Sequence, residues 1–398
     1  MTDWKTGFLS DMVTDPITYG IVQPGDFRKD GVPLIRGKDY MQGWAGEGDL
    51  FRVDPDLHEK YKRSKVTKGD ILLSIAGYVG ETAIVPEWIE EANITQTSAR
   101  IRCDEGILSS KYLFYFLNSN EGREITKKFS KGSAQSGLNL ADIEKFEVPV
   151  PPLLDQKKIA EILSGIDKAI SKYVLKLNRE YLIAESIMES IEESCLSYEV
   201  PKVKIGDVST KVGSGITPRG GSDIYLKEGV KLIRSQNVLK MKLSLSNVAH
   251  IPPSIHRQMH NSSIEKGDTL LNITGASIGR SAVVPDDLGE ANVNQHVCII
   301  RTTEMCDPYY LSAWFNSQRG QRQINIFQAG GNRQGLNFQE IRSMSFPLHP
   351  LEFQRKVSDT ISHIHKLIDN TERKIFQLQN LKSALSSDLL LGRKRVNV

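Results

Sequence analysis

One carboxylate occurs twice in the same setting. Asp70 sits in KGDILLSIAGYVGETAIVP, which starts at Lys68, and Asp268 sits in KGDTLLNITGASIGRSAVVP, which starts at Lys266. A repeated Gly-Asp step could supply catalytic acids. Placed directly before a strand, it is instead expected to form a tight turn in which Asp bonds nearby backbone. His256 and His260 in HRQMH have the i, i+4 spacing of helical metal ligands. We read them as exposed polar residues and expect no metal site. The four cysteines, Cys103, Cys195, Cys298 and Cys306, form no C-x-x-C pair. That points to a reduced, cytoplasmic protein without a disulfide framework. The chain has no phosphate loop of the G-x-x-x-x-G-K-[ST] type and no H-E-x-x-H. It also lacks a glycine-rich adenosylmethionine loop paired with an NPPY-type tetrad. By itself it is expected to be non-catalytic.

Binding chemistry fits better. The repeated framework carries polar segments that differ between the two copies. RGKDY at Arg36 becomes RSQNV at Arg234, TQTSA at Thr95 becomes NQHVC at Asn294, and GSAQS at Gly132 becomes GNRQG at Gly331. Arg, Lys, Asn and Gln carry the donors and acceptors that read base edges, and Ser and Gly amides suit phosphates. The candidate DNA-contacting residues are Arg36, Lys38, Gln96, Lys131, Ser133 and Gln135 in the first copy. In the second they are Arg219, Arg234, Gln236, Asn237, Gln295, Asn332, Arg333 and Gln334. Net charge is only +3, so distribution matters more than the sum. Residues 1–150 hold 19 basic and 23 acidic residues, whereas 201–350 hold 17 and 11. The first half must therefore cluster its cations, with Arg28, Lys29, Arg36, Lys38 and the run Lys60, Lys62, Arg63 and Lys65 as candidates.

These segments are positioned by a duplicated unit. Lys266 follows Lys68 by 198 residues (266 − 68), and the same shift carries GVPLIRGKDY at Gly31 onto GVKLIRSQNV at Gly229. The shift becomes 199 after Gly80, where GYVG is answered by the longer GASIG. A period this long excludes a solenoid and implies two tandem modules. The first three quarters of each module read as mixed α/β, with short β-branched runs punctuated by glycine. After VPVPPL and FPLHPL, glycine nearly vanishes and heptads begin. Ile159, Leu163, Ile166, Ile170, Leu177 and Ile191 form one apolar seam. Val357, Ile361, Ile364, Ile368, Ile375 and Leu378 form the other, with Leu381, Leu385 and Leu389 closing it. Residues 151–200 carry net −3 and 351–398 net +4, which suits pairing with each other. The expected fold class is α/β. Two mixed domains at 1–150 and 199–349 alternate with long helices at 151–198 and 350–398, the last with a basic tail. The helices are expected to form an antiparallel coiled coil about a pseudo-twofold axis. No apolar run reaches the ~20 residues of a membrane span, and MTDWKTGFLSDMV lacks the pattern of a signal peptide.

The chain resembles the specificity subunit of type I restriction-modification systems. The residues that carry the resemblance are GLNLADIEKFEVPVPPLLDQKKIAEIL from Gly137 and GLNFQEIRSMSFPLHPLEFQRKVSDTI from Gly335, with GSGITPRGG at Gly213. The first copy departs from the last motif, since TYGIVQPGD at Thr18 lacks the Thr-Pro step. The resemblance implies two target-recognition domains, one for each half of a bipartite, asymmetric site in double-stranded DNA, with the helix pair setting the spacer. It implies two modification subunits that bind S-adenosylmethionine and methylate adenine, and restriction subunits that use ATP and Mg. No cofactor is expected in this chain. Two other readings remain: a two-headed protein-binding adaptor, and a methyltransferase or nuclease with an unfamiliar site.

Overall fold

A computed structural model describes residues 4–41, 43–130, 137–197, 200–218, 220–329 and 335–396. It divides into two compact units. The first is Met1–Tyr173 with Lys374–Val398, and the second is Val174–Arg373.

The first unit is built on strands that are too apolar to alternate. Every residue of Ile71–Ser74 and Ser98–Ile101 is buried, as strands covered on both faces require. These two form the centre of an antiparallel sheet with the order Thr18–Tyr19, Ser98–Ile101, Ile71–Ser74, Thr82–Ile84. Period-2 alternation assigns its faces. Ile71 and Leu73 join a core with Tyr112 and Phe116 of helix Ser110–Leu117, while Leu72 joins a second core with Ile35, Val66 and Ile94. The second core lies against the sheet Phe51–Val53, Val32–Ile35, Ala92–Ile94, Lys65–Val66, where Val32–Ile35 and Ala92–Ile94 run parallel. The opening strand Lys5–Phe8 pairs with Glu147–Val150, so the head closes just before the long helix Leu153–Ser197 begins.

The second unit repeats this plan. Leu271 and Ile273 pack beside Tyr310 and Phe315 of helix Pro308–Asn316, while Leu270 faces the other core with Ile233 and Val293. Lys202–Lys204 pairs with Ser345–Pro347 ahead of the long helix Leu351–Leu390. Among the described residues one feature has no strand counterpart in the first unit: the hairpin of Val238–Leu239 and Lys242–Leu243, whose turn holds Met241 at φ 59°.

Each unit contains part of both long helices, paired antiparallel. In the first, Lys382 lies 2.6 Å from Asp167, while Leu389 and Leu390 share a core with Ile159, Ala160 and Leu163. In the second, Tyr181 bonds Glu372, while Ile187 packs on the core that holds Val357 and Ile361.

The expected seam is therefore partly head core. Ile159, Leu163, Val357 and Ile361 are buried among head residues. Ile364 and Ile368 are also buried, whereas Ile166, Ile170, Leu177, Ile375 and Leu378 are half-buried. Leu381, expected to close the run, is 47% exposed. The side chains of Ile191 and Cys195 lie outside what is described. The segment expected as a separate 350–398 element is split, because its last turns bury Leu389 and Leu390 under Tyr112, whose hydroxyl donates to the Leu390 carbonyl at 3.4 Å. Among the described residues no helix is long and apolar enough to cross a membrane.

Candidate nucleic-acid interface

The repeated Asp is a structural acid at one end of the central strand pair. Asp70 accepts from the Thr67 amide at 2.9 Å, as the turn requires. It also takes both forks of Arg102, Nε at 2.7 Å and Nη2 at 2.7 Å. Asp268 does the same with the Glu265 amide and with Arg301, at 2.7 Å and 2.9 Å. Bidentate pairing to a buried carboxylate raises the pKa of both guanidinium groups. Beside Arg102, burial lowers that of Arg100. Burial also pushes the thiols of Cys103, Cys298 and Cys306 up to about 12, which leaves them protonated and unreactive.

The variable segments emerge from the other end of the same strands. In the first head the Ile75 amide donates to Thr97, Leu138 to Ile75, Thr95 to Ile35 and Gln96 to Ile21. In the second, Ile273 donates to His296, Leu336 to Ile273, Asn294 to Ile233 and Gly215 to Asn294. Ala76 bridges Gly137 as Thr274 bridges Gly335. One backbone lattice thus gathers four segments into each tip. The first copy keeps the anchoring glycine despite its missing Thr-Pro step. A Cβ on Gly20 would meet the Ile94 carbonyl oxygen at 1.7 Å, and one on Gly215 the Val293 oxygen at 1.7 Å, so only glycine allows this approach.

At the tips the candidates sort by what already holds them. Lys38, Gln96, Gln236 and Gln295 are exposed. Arg36 is committed: Nε and Nη2 each donate to Asp39 at 3.0 Å, and the guanidinium lies over Phe51. Asn237 is a correction to the expected reader. It is buried, accepting from the Arg234 amide at 3.1 Å and donating to the Ser244 carbonyl at 3.0 Å. Both residues close the short 3₁₀ turn after their strand, which needs an acceptor three residues on. Replacing Asp39 by Asn237 leaves Arg234 with Asn247 and the Tyr225 face as partners, and its buried Nε has none. Several expected phosphate-binding cations are also paired with acids: Lys65 with Glu59 and Glu91, and Arg28 with Asp54. Lys131, Ser133, Gln135, Arg219, Asn332, Arg333 and Gln334 lie outside the described residues.

The second tip carries an open cavity of about 440 Å³, lined by Ser235, Gln236, Thr274, Ser277, Arg280 and His296. Arg280 is exposed and has no ion pair among the described residues. His296 Nδ1 lies 2.6 Å from the Thr274 hydroxyl. In the first tip Tyr78 is 70% exposed, and Glu81 pairs with Arg123. Sequence reasoning passed over Arg280, His296 and Tyr78. The signal was there, because the GYVG/GASIG insertion sits in this loop and Glu81 aligns with Arg280 just after it.

Histidines elsewhere serve the scaffold. His256, expected to be exposed, is half-buried with Nδ1 2.6 Å from Asn292 Oδ1, whereas His260 is exposed as expected. His58, Glu59 and Glu91 bring possible ligand atoms within 4.8 Å of one another, with the Lys65 ammonium 2.5 Å from Glu59 and 3.3 Å from Glu91.

Comparison with known proteins agrees with this duplicated plan. The family model described as "Type I restriction modification DNA specificity domain" matches residues 1–178 and again 198–380. The EcoBI specificity subunit of Escherichia coli is 33% identical over 185 residues, covering 44% of this chain and 39% of the relative. The putative MjaX specificity subunit of Methanocaldococcus jannaschii is 24% identical, covering 99% of this chain and 94% of the relative. Among solved structures, the S subunit from M. genitalium superposes with a TM-score of 0.64 at 13% identity, covering 98% of this chain and 96% of that one, which shows a shared fold. With two matches that together span most of its length, the chain belongs to the type I restriction modification DNA specificity domain family.

Proposed function

We propose that this chain is the DNA-reading subunit of a type I restriction-modification complex. Each head reads one half of a bipartite, asymmetric site, and the paired helices set the spacer. The observation that carries this reading is the tip: one backbone lattice presents different side chains in the two copies. Lys38, Tyr78 and Gln96 stand in one tip, and Gln236, Arg280, Gln295 and His296 in the other. In this reading the chain does no chemistry and holds no cofactor. Two modification subunits supply S-adenosylmethionine and methylate adenine, and restriction subunits supply ATP- and Mg-dependent cleavage.

Methylome sequencing of the source cells, with and without the gene, tests the reading directly. Loss of one bipartite methylation motif is the expected result, and an unchanged methylome rejects it. Binding should also weaken as salt rises, with a slope that counts neutralised phosphates. A protein-binding adaptor would lack that slope.

Arg280→Ala is expected to weaken recognition of the second half-site by about 1–3 kcal/mol while leaving the first unchanged. Competition binding against duplexes altered in one half-site measures this. Discrimination lost at a single base marks a base contact, and an equal loss on every sequence marks a phosphate contact. Removing one matched heptad from both long helices is expected to shorten the accepted spacer and preserve both half-sites. An unchanged spacer would count against the ruler.

A further inference from the structure

Each unit contains a polar network that ties three elements together, and the two networks are unrelated by the repeat. In the first unit Tyr115 comes from the head, Asp167 from the first long helix and Lys382 from the second. The Tyr115 hydroxyl donates to Asp167 Oδ2 at 3.0 Å, and Lys382 Nζ lies 2.6 Å from Asp167 Oδ1 and 5.7 Å from the centre of the Tyr115 ring. In the second unit Lys242 of the head hairpin pairs with Asp369 and, at 3.4 Å, with Glu372, both on the second long helix. Tyr181 of the first long helix donates to Glu372 at 2.8 Å.

The 198-residue shift carries Tyr115, Asp167 and Lys382 onto Ala313, His365 and Ala184, and carries Tyr181 onto Gln379. It relates Asp369 and Glu372 to Ser171 and Val174. A three-way junction of head, first helix and second helix is therefore tied in both units, by different residues each time. The apolar cores beneath these junctions are alike in the two units. Apolar packing is non-directional and makes the head adhere, whereas charged hydrogen bonds have directions and fix how it is turned.

Resting on the reading above, we propose that these two networks are junction locks. They are positioning residues that hold each head at one orientation on the helix pair, and so select the spacer at which both half-sites can be read together. One base pair of spacer adds about 3.4 Å of rise and about 35° of twist. A small rotation of a head is therefore enough to accept a neighbouring spacer. Asp167 and Lys382 are 36% and 34% exposed, so losing their ion pair changes stability little and shows in geometry instead.

The test uses the complex purified from cells, with half-sites taken from its methylome. Affinity is measured for duplexes with the native spacer, with spacers one base pair shorter or longer, and with a single half-site. For Asp167→Asn, Lys382→Met and Lys242→Met, single-half-site affinity should stay within about twofold, while preference for the native spacer falls about fivefold or more. Lys382→Arg should retain the wild-type preference. An unchanged spacer preference overturns the proposal. So does an equal loss on single half-sites, which would place these residues in the readers or the fold. A wild-type complex with no bipartite preference at all would instead remove the functional reading on which the locks depend.

Discussion

Gln156→Leu is expected to destabilise the first unit by about 3–5 kcal/mol without opening a cavity. Gln156 is fully buried at the start of the long helix, and every polar atom of its amide is used. Its Oε1 accepts from the Ser109 amide at 2.8 Å, and its Nε2 donates to the Ile107 and Pro151 carbonyls, each at 2.9 Å. These partners lie at the start of the head helix and at the proline turn, so one side chain staples the long helix to the head. Leucine fills similar space but leaves an amide and two carbonyls without partners, at about 1–3 kcal/mol for each buried group, less than additively. Gln354 makes the same three bonds in the second unit, to the Asp307 amide at 2.8 Å and to the Met305 and His349 carbonyls at 3.1 and 2.7 Å. Gln354→Leu should therefore match it. Because the two units need not unfold together, amide hydrogen exchange is the sharper measurement. Protection of Ser109 should fall about 150- to 5,000-fold in Gln156→Leu while that of Asp307 is unchanged, and the reverse should hold for Gln354→Leu. A change below about 1 kcal/mol would mean that water replaces the staple at no loss.

Arg102→Met is expected to cost a further unit-wide loss of about 3–5 kcal/mol, because it strands a buried charge. Asp70 is 3% exposed and, among the described residues, would keep only the Thr67 amide as a hydrogen-bond partner. Adding Asp70→Asn removes the stranded charge, so the double variant should be more stable than Arg102→Met alone. That reversal separates a charge effect from simple loss of packing. Arg301→Met should be about as damaging, since it would strand Asp268, 1% exposed, and release Glu265 from its 2.5 Å contact, as Arg102→Met releases Asp15 from its 2.8 Å contact. Urea denaturation of the single and double variants measures both claims. If the double variant is no better than the single one, the pair is not acting through its charge.

The two networks also show what a sequence pattern can reveal. The Gly-Asp step announced its turn through local chemistry, because the acceptor and the amide it binds are three residues apart. Its main partner was hidden, because Arg102 lies 32 residues away and is brought near by antiparallel register. The same limit misassigned Asn237. A polar residue in a variable segment looks like a reader until the turn that consumes its amide is known. Arg280 was overlooked for the opposite reason. Its value lies in having no partner among the described residues, and composition does not report that.

The sequence by itself determined the duplication, the mixed α/β heads, the proline joints and the two long helices. All of these rest on spacing between near neighbours or on the repeat. Only the tertiary structure decided which surface each apolar face meets. Heptad positions place Leu389 on an apolar face, but the face is covered by the head that begins the chain, far away in sequence. Periodicity records that a side chain avoids water, since burial is non-directional. Which of several apolar surfaces covers it is settled by long-range packing and by the buried polar groups that must find partners there.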